Sequence, residues 1–314
     1  MGRRAVPAWV VCLTVAVVSA APKTETPPAK SPASPADPVA ALLKRGWGEL
    51  DLVNYPKAQK TFEQVLRGAP AAAQRAEAMF ALAHLWQYRQ PGADLARAKE
   101  LYEGVTRDLP ETPAAPLALM ALARVADAPP YETDRKPAEA RQLYRRIIER
   151  YADHFIADEA VLRLAMTYLE ELGNAEVEDV GVKLLTDFLA RKPESFLAPV
   201  MRWELGNLHF NRKEYRRAVR EWIAADTLDA KAPEGRAMST VARAGLYFRI
   251  AKVSEKRLKD YATAAKWYEK IVTEVRRENR YYVAKVSAER CRKLAAQAAS
   301  KPAPKPTDGG EAKR

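Results

Sequence analysis

Histidine, cysteine and glycine are scarce in this chain, and each shortage removes a class of answer. The three histidines, His84, His154 and His209, are not spaced with one another or with cysteine as metal ligands are. No HExxH, glycine-rich phosphate loop or GxSxG elbow occurs, so no metal, cofactor or catalytic residue is expected. Of the two cysteines, Cys12 falls in an N-terminal leader, which leaves Cys291 with no disulfide partner in the processed chain. Thirteen glycines in 314 residues argue against a strand-and-turn-rich fold, while plentiful Ala, Leu, Arg and Glu favour helix. Charge is not scarce but unbalanced. A net +12 and a pI near 9.6 suit acidic proteins, anionic lipid, cell-wall polymers or nucleic acid without choosing among them.

Arg3 and Arg4 precede an apolar run from Ala5 to Val18, and Val18-Ser19-Ala20 offers small residues where a signal peptidase reads them. Residues 1–20 are therefore expected to be a signal peptide cleaved after Ala20, because the run is shorter than the ~20 residues of a spanning helix. Export to a periplasm or the exterior follows, with no transmembrane segment after cleavage. Val11 before Cys12 disfavours lipidation, which requires a small residue there. Residues 21–38, with prolines at 22, 27, 28, 32, 35 and 38, read as a disordered linker, and residues 300–314 as a disordered basic tail.

Between them runs a repeat. Tyr55, Ala58, Phe62 and Val65 recur as Leu95, Ala98, Tyr102 and Val105, as Pro137, Ala140, Tyr144 and Ile147, as Tyr215, Ala218, Trp222 and Ala225, and as Tyr261, Ala264, Tyr268 and Ile271. Steps of three and four put each quartet on one helical face. A weaker copy has Gly181, Leu185 and Phe188, with Glu178 at an apolar position. Preceding helices carry their own small residue at Gly46, Ala83, Ala123, Ala165, Gly206 and Ala251. From Ala58 to Ala83, Ala98 to Ala123, Ala140 to Ala165 and Gly181 to Gly206 the step is always 25, whereas within a repeat it runs from 12 to 17. Packing between repeats is thus fixed, and the variation belongs to hairpin loops, where Pro91-Gly92, Pro129-Pro130 and Gly173-Asn174 stand. The step of 33 from Ala218 to Ala251 predicts an enlarged loop over Asp229 to Gly235, and Tyr281 to Ala298 reads as a capping helix. The expected fold is all-α: six helical hairpins plus a cap over residues 39–299.

A small residue, an alanine about 12 further on and an aromatic four after that, best seen in Gly206, Tyr215, Ala218 and Trp222, resembles the tetratricopeptide repeat, stretched to about 40 residues from the usual ~34. Ala138 to Glu170 is similar to periplasmic tetratricopeptide proteins such as the Tol–Pal coordinator and the outer-membrane-assembly lipoprotein. The resemblance implies an α-solenoid acting as a non-catalytic scaffold for protein or peptide partners at the cell envelope. It also implies that first helices line a concave groove, with the residue after the small one pointing in. That column is Trp47, His84, Arg124, Met166, Asn207 and Lys252, beside Phe80, Trp203 and Phe210. Aromatic, cationic and amide groups suit an extended peptide with apolar and acidic contacts. A carboxylate clamp of the family's kind could draw only on Asn207, Arg124 and Lys252. Burial of Trp47 and Met166 in the core is the competing reading.

Alternatives of other classes are a peptidoglycan- or glycan-binding protein and, less favoured, a solenoid-based cell-wall hydrolase. The latter needs a glutamate in a deep cleft, and the register leaves no spare stretch of about 100 residues for one. His154 beside Asp153 hints at an acid–base pair, but Asp153 reads more simply as a cap for a helix starting near Ile156. Arg141, Arg145, Arg146 and Arg150, like Arg212, Arg216, Arg217 and Arg220, are interleaved with Glu149, Glu214 and Glu221 as in solvated, salt-bridged faces. Arg276-Arg277 followed by Arg280-Tyr281-Tyr282 looks like a basic–aromatic patch, yet an exported chain is expected to meet no nucleic acid.

Overall fold

A computed structural model of the chain describes residues 37–89, 91–129, 131–171, 173–232, 238–275 and 279–300. The expected leader, nearly all of the linker, the basic tail, Arg276, Arg277 and residues 233–237 lie outside the described residues. Among the described residues are thirteen α-helices, of which twelve pair in sequence. Hairpin 1 is α1 (Pro38–Asp51) with α2 (Tyr55–Arg67), hairpin 2 is α3 (Ala72–Tyr88) with α4 (Leu95–Asp108), and hairpin 3 is α5 (Ala114–Asp127) with α6 (Pro137–Arg150). Hairpin 4 is α7 (Ile156–Leu169) with α8 (Ala175–Arg191), hairpin 5 is α9 (Ala198–Asn211) with α10 (Tyr215–Lys231), and hairpin 6 is α11 (Thr240–Val253) with α12 (Tyr261–Glu274). A lone helix, α13 (Tyr281–Ala299), covers α12. Among the described residues there is no strand. The chain divides between Arg191 and Lys192 into two compact units, an N-terminal one of four hairpins and a C-terminal one of two hairpins and α13.

The recurring small residues are all buried, because that is where two helices meet. A Cβ on Gly46 would lie 2.5 Å from the Phe62 ring, and one on Gly206 only 2.3 Å from Trp222. Neither ring leaves room for a methyl group, so glycine is required by close approach rather than by backbone freedom. In hairpin 4 the roles reverse, with Gly181 on the second helix lying under Leu169.

A second rule governs the residue four positions after each small one, where it faces the large side chain of the second helix. Tyr102 donates its hydroxyl to Gln87 (3.0 Å), Tyr144 to Asp127 (3.3 Å) and Tyr268 to Glu255 (3.0 Å). Where the second helix carries Phe62, Leu185 or Trp222 instead, that position is Leu50, Leu169 or Phe210. A buried hydroxyl needs an acceptor and the hydrocarbon of Phe62 and Leu185 needs none, whereas the buried Trp222 indole N–H lies against Phe210 without a hydrogen bond.

Turns show equal economy. Val53, Lys213 and Lys259 each adopt a left-handed conformation (φ 59, 62 and 57°) two residues before Tyr55, Tyr215 and Tyr261. In hairpin 6 the step from Ala251 to Ala264 is 13, one more than in hairpins 1 and 5. A π-helical turn over Ser254–Leu258 takes up the extra residue. The structure differs from expectation at the end of α10. Asp229 opens no loop; it is fully buried in the last turn of a 17-residue helix and accepts the Met238 N–H at 2.8 Å, securing the returning chain. Glu178, at its expected apolar position, is buried and accepts the Gly173 N–H of its own turn at 3.2 Å.

The arginines of α6 do form ion pairs, but chiefly with neighbouring hairpins rather than along their own helix. Arg141 reaches Glu171 and the Thr167 carbonyl, Arg145 the Tyr168 hydroxyl, and Arg150 Glu111 at 2.5 Å. In α10, Arg217 pairs with Glu214 at 3.1 Å, within the run as expected.

Candidate functional site

Helices α1 and α3 run side by side in the same direction. Gln74 donates to Asp37 at 2.5 Å at their starts, and the rings of Trp47 and His84 stand 6.5 Å apart toward their ends. On α3, Phe80, His84 and Tyr88 follow at four-residue steps and share a face. His84 lies 4.6 Å from Tyr88 and 6.5 Å from Phe80, and Trp47 lies 6.4 Å from Phe80, centroid to centroid. Trp47, Phe80 and His84 are half-buried, Trp47 packing on Phe62 and Phe80 on Tyr102 at 5.6 Å each, and Tyr88 is exposed, so the aromatic cluster on the first helices of hairpins 1 and 2 is partly open and most accessible at Tyr88. Glu77 flanks it by accepting the Trp47 indole N–H at 2.9 Å. Burial, with Arg124 nearby, holds the His84 imidazole below its ordinary pKa, so the ring is neutral at pH 7.

Beyond the aromatics the same face becomes charged. Arg124 of α5 donates to Glu159 of α7 at 2.7 Å, and Glu159 also accepts from Arg163 at 3.2 Å. Met166 of α7 is half-buried. In the N-terminal unit, then, the four expected column residues are all partly accessible, and two of them, Trp47 and His84, are brought together. Trp47 and Met166 are not fully buried in the core.

In the C-terminal unit one of the expected aromatics is covered. Trp203 is only 8% exposed and belongs to the core, with the Arg249 guanidinium 5.3 Å over its ring. Phe210 is half-buried, its ring 5.8 Å from Trp222 in the position that faces the second-helix side chain. Asn207 is half-buried and engaged on both sides, donating to Glu204 at 3.1 Å and accepting from Arg249 at 2.5 Å. Lys252 is exposed.

Sequence reasoning missed Tyr88, Glu77 and Arg249. Tyr88 was findable, since it continues the four-residue series Phe80, His84. Arg249 was not, because a long cation folding over a tryptophan leaves no periodic trace. At His154, the ring Nδ1 accepts the Ile156 N–H at 3.3 Å, so the histidine rather than Asp153 caps α7, and its half-buried imidazole is held below the ordinary pKa by desolvation. Among the described residues, no three His, Cys, Asp or Glu side chains converge as a metal site needs, and no helix is long and apolar enough to cross a membrane.

No family model matches the chain, and no curated protein matches it. Among solved structures, PilW, described as a widely conserved type IV pilus biogenesis factor, is similar with a TM-score of 0.53 at 14% identity, over 79% of this chain and 99% of that one. PilF of Pseudomonas aeruginosa is similar with a TM-score of 0.51 at 18% identity, over 79% and 96%. At such identities the likeness is one of fold. Together with the hairpin packing it makes this chain a tetratricopeptide-like helical repeat protein of the α-solenoid class.

Proposed function

We propose that this protein is a non-catalytic exported adaptor that holds a protein or peptide partner on the first-helix face of its N-terminal unit. The observation that carries this reading is the partly accessible aromatic cluster of Trp47, Phe80, His84 and Tyr88, open at Tyr88 and bounded by Glu77 and Arg124. A neutral aromatic surface between opposite charges suits a peptide with an apolar anchor and polar flanks. The leader-like residues 1–20 support export, and the likeness of Ala138 to Glu170 to periplasmic tetratricopeptide proteins supports a role in envelope organisation. Similarity of fold to a pilus biogenesis factor fits such a setting.

Photo-crosslinking from position 88 in the full-length protein tests this directly, with Glu100, exposed on the second helix α4, as the control position. Position 88 should capture a defined protein or peptide and position 100 should not. Equal capture from both, or none from either, would remove the first-helix face as the binding site. Exposed Tyr88 and Tyr131 also suit stacking on sugar rings, so co-sedimentation with purified peptidoglycan is the companion measurement. Retention there that is lost in Tyr88→Ala would favour the glycan-binding alternative.

A further inference from the structure

The two units carry opposite charge. Residues 37–191 hold 20 Lys and Arg against 24 Asp and Glu, a net −4, whereas residues 192–300 hold 24 against 13, a net +11. Most of the exposed large apolar side chains fall in two groups, with Phe155, Val180, Phe196 and Val241 outside both. In the N-terminal unit the four most exposed outside the inter-hairpin turn lie along the edge formed by the hairpin turns, Leu52 (82% exposed), Val53 (62%), Tyr88 (52%) and Tyr131 (70%), while Phe155 (54%) and Val180 (43%) lie away from it. The turns of successive hairpins share this edge, since Arg135 of the third turn bonds Glu170 at the fourth. Exposed acids surround the apolar residues: Asp51 and Asp94 at the first two turns, Glu132 and Asp134 at the third, Glu170 and Glu171 at the fourth. The edge's arginine at 135 is already engaged by Asp127 and Glu170.

In the C-terminal unit, α13 buries Ala284, Ser287, Ala288 and Cys291 against its own unit and turns Tyr282 (73% exposed), Val283 (52%) and Val286 (46%) outward. Lys285 and Lys293 are exposed on the same helix, with Glu289 as the one acid between them. An apolar–acidic edge and an apolar–basic helix face are therefore present on every copy of the chain.

We infer that the outer face of α13 in one copy docks on the hairpin-turn edge of the N-terminal unit in a second copy. Both the apolar and the charged character of the two surfaces match, and the chain itself supplies both halves, so no other molecule is needed to account for either. Exposed clusters of large apolar residues rimmed by charge mark interaction sites more often than idle surface. Burying Tyr282, Val283 and Val286 against Leu52, Val53 and Tyr131 would supply the dry centre of the contact. Lys285 and Lys293 opposite Glu132 and Asp134 would set its register and its salt sensitivity. The contact is heterologous, joining different surfaces on the two copies, so it either closes as a reciprocal pair or continues as a chain.

Sedimentation velocity on the full-length protein, from low to high micromolar, decides the matter. Mass should rise with concentration at low salt and fall back at high salt. Val283→Glu with Val286→Glu should weaken association by about ten-fold or more, as should Leu52→Asp. These side chains are exposed, so circular dichroism and Tm should not change. Lys285→Glu with Lys293→Glu should abolish association alone, and so should Glu132→Lys with Asp134→Lys. An equimolar mixture of the two charge-reversed proteins should regain it. A protein that stays monomeric throughout, an oligomer indifferent to these variants, or a mixture that fails to recover would each overturn the inference. Loss of a foreign acidic partner from a monomeric α13 variant would also overturn it.

Discussion

In hairpin 2 the hydroxyl of Tyr102 and the amide oxygen of Gln87 satisfy one another, whereas hairpin 1 places Phe62 over Leu50 at the same positions. Gln87→Leu should therefore cost about 1–2 kcal/mol by stranding the Tyr102 hydroxyl, and Tyr102→Phe about 1 kcal/mol. The double variant, which copies hairpin 1, should be more stable than the sum of the singles allows, by about 1 kcal/mol or more in a urea-unfolding cycle. Additive losses would show that the bond does not matter. His84 makes the complementary case for a group kept uncharged. Burial and Arg124 depress its folded pKa below 6.5, so as pH falls through that value the unfolded chain takes up a proton that the folded chain refuses. Stability is then fully present above about 6.5 and declines as pH falls below it, with His154 contributing in the same direction. His84→Gln should flatten the pH dependence of the urea midpoint in this window, and an unchanged slope would contradict the assignment.

At the scale of single elements, the constant step of 25 was readable as a register between repeats, but the small residues that share a core are those of one hairpin, Ala83 with Ala98 and Ala123 with Ala140, where the step varies and the turn takes up the difference. What the spacing could not convey was how a turn absorbs an odd residue. The π-helical turn at Ser254–Leu258 looks, in sequence, like any loop longer by one. Trp203 is covered for a related reason. Helical periodicity assigns it to a stripe, but whether that stripe is covered depends on Arg249 in the next first helix. Turn stereochemistry offers a prediction of its own. Lysine occupies the left-handed position of hairpins 5 and 6 at modest cost, but the β-branched Val53 in hairpin 1 is strained there. Val53→Asn should raise stability by about 1 kcal/mol in thermal or urea unfolding. If the turn edge mediates contact between copies, the same change should weaken that contact, setting stability against association.

For the molecule as a whole, the all-α fold and the six hairpins were legible from side-chain size alone, while the candidate site was only half legible. Column residues followed from position relative to a small residue. The cluster that Trp47 and His84 form with Phe80 and Tyr88 depended on two helices lying parallel, which no single-helix pattern reports. Nor does overall composition reveal that the excess positive charge lies in one unit. The presence of a tyrosine–acceptor pair in hairpins 2, 3 and 6 and its absence from hairpins 1, 4 and 5 has a consequence for how such a chain assembles. Six similar hairpins within one polypeptide risk mispairing during folding, a first helix closing on the wrong second helix. If Tyr102 closed on Leu50, or Phe62 on Gln87, a polar group would be trapped without a partner, so neighbouring hairpins 1 and 2 reject each other's helices. The hydroxyls thereby act as pairing labels, and erasing one with its acceptor, as in the Gln87→Leu, Tyr102→Phe double variant, should leave the native state stable but the route to it less faithful.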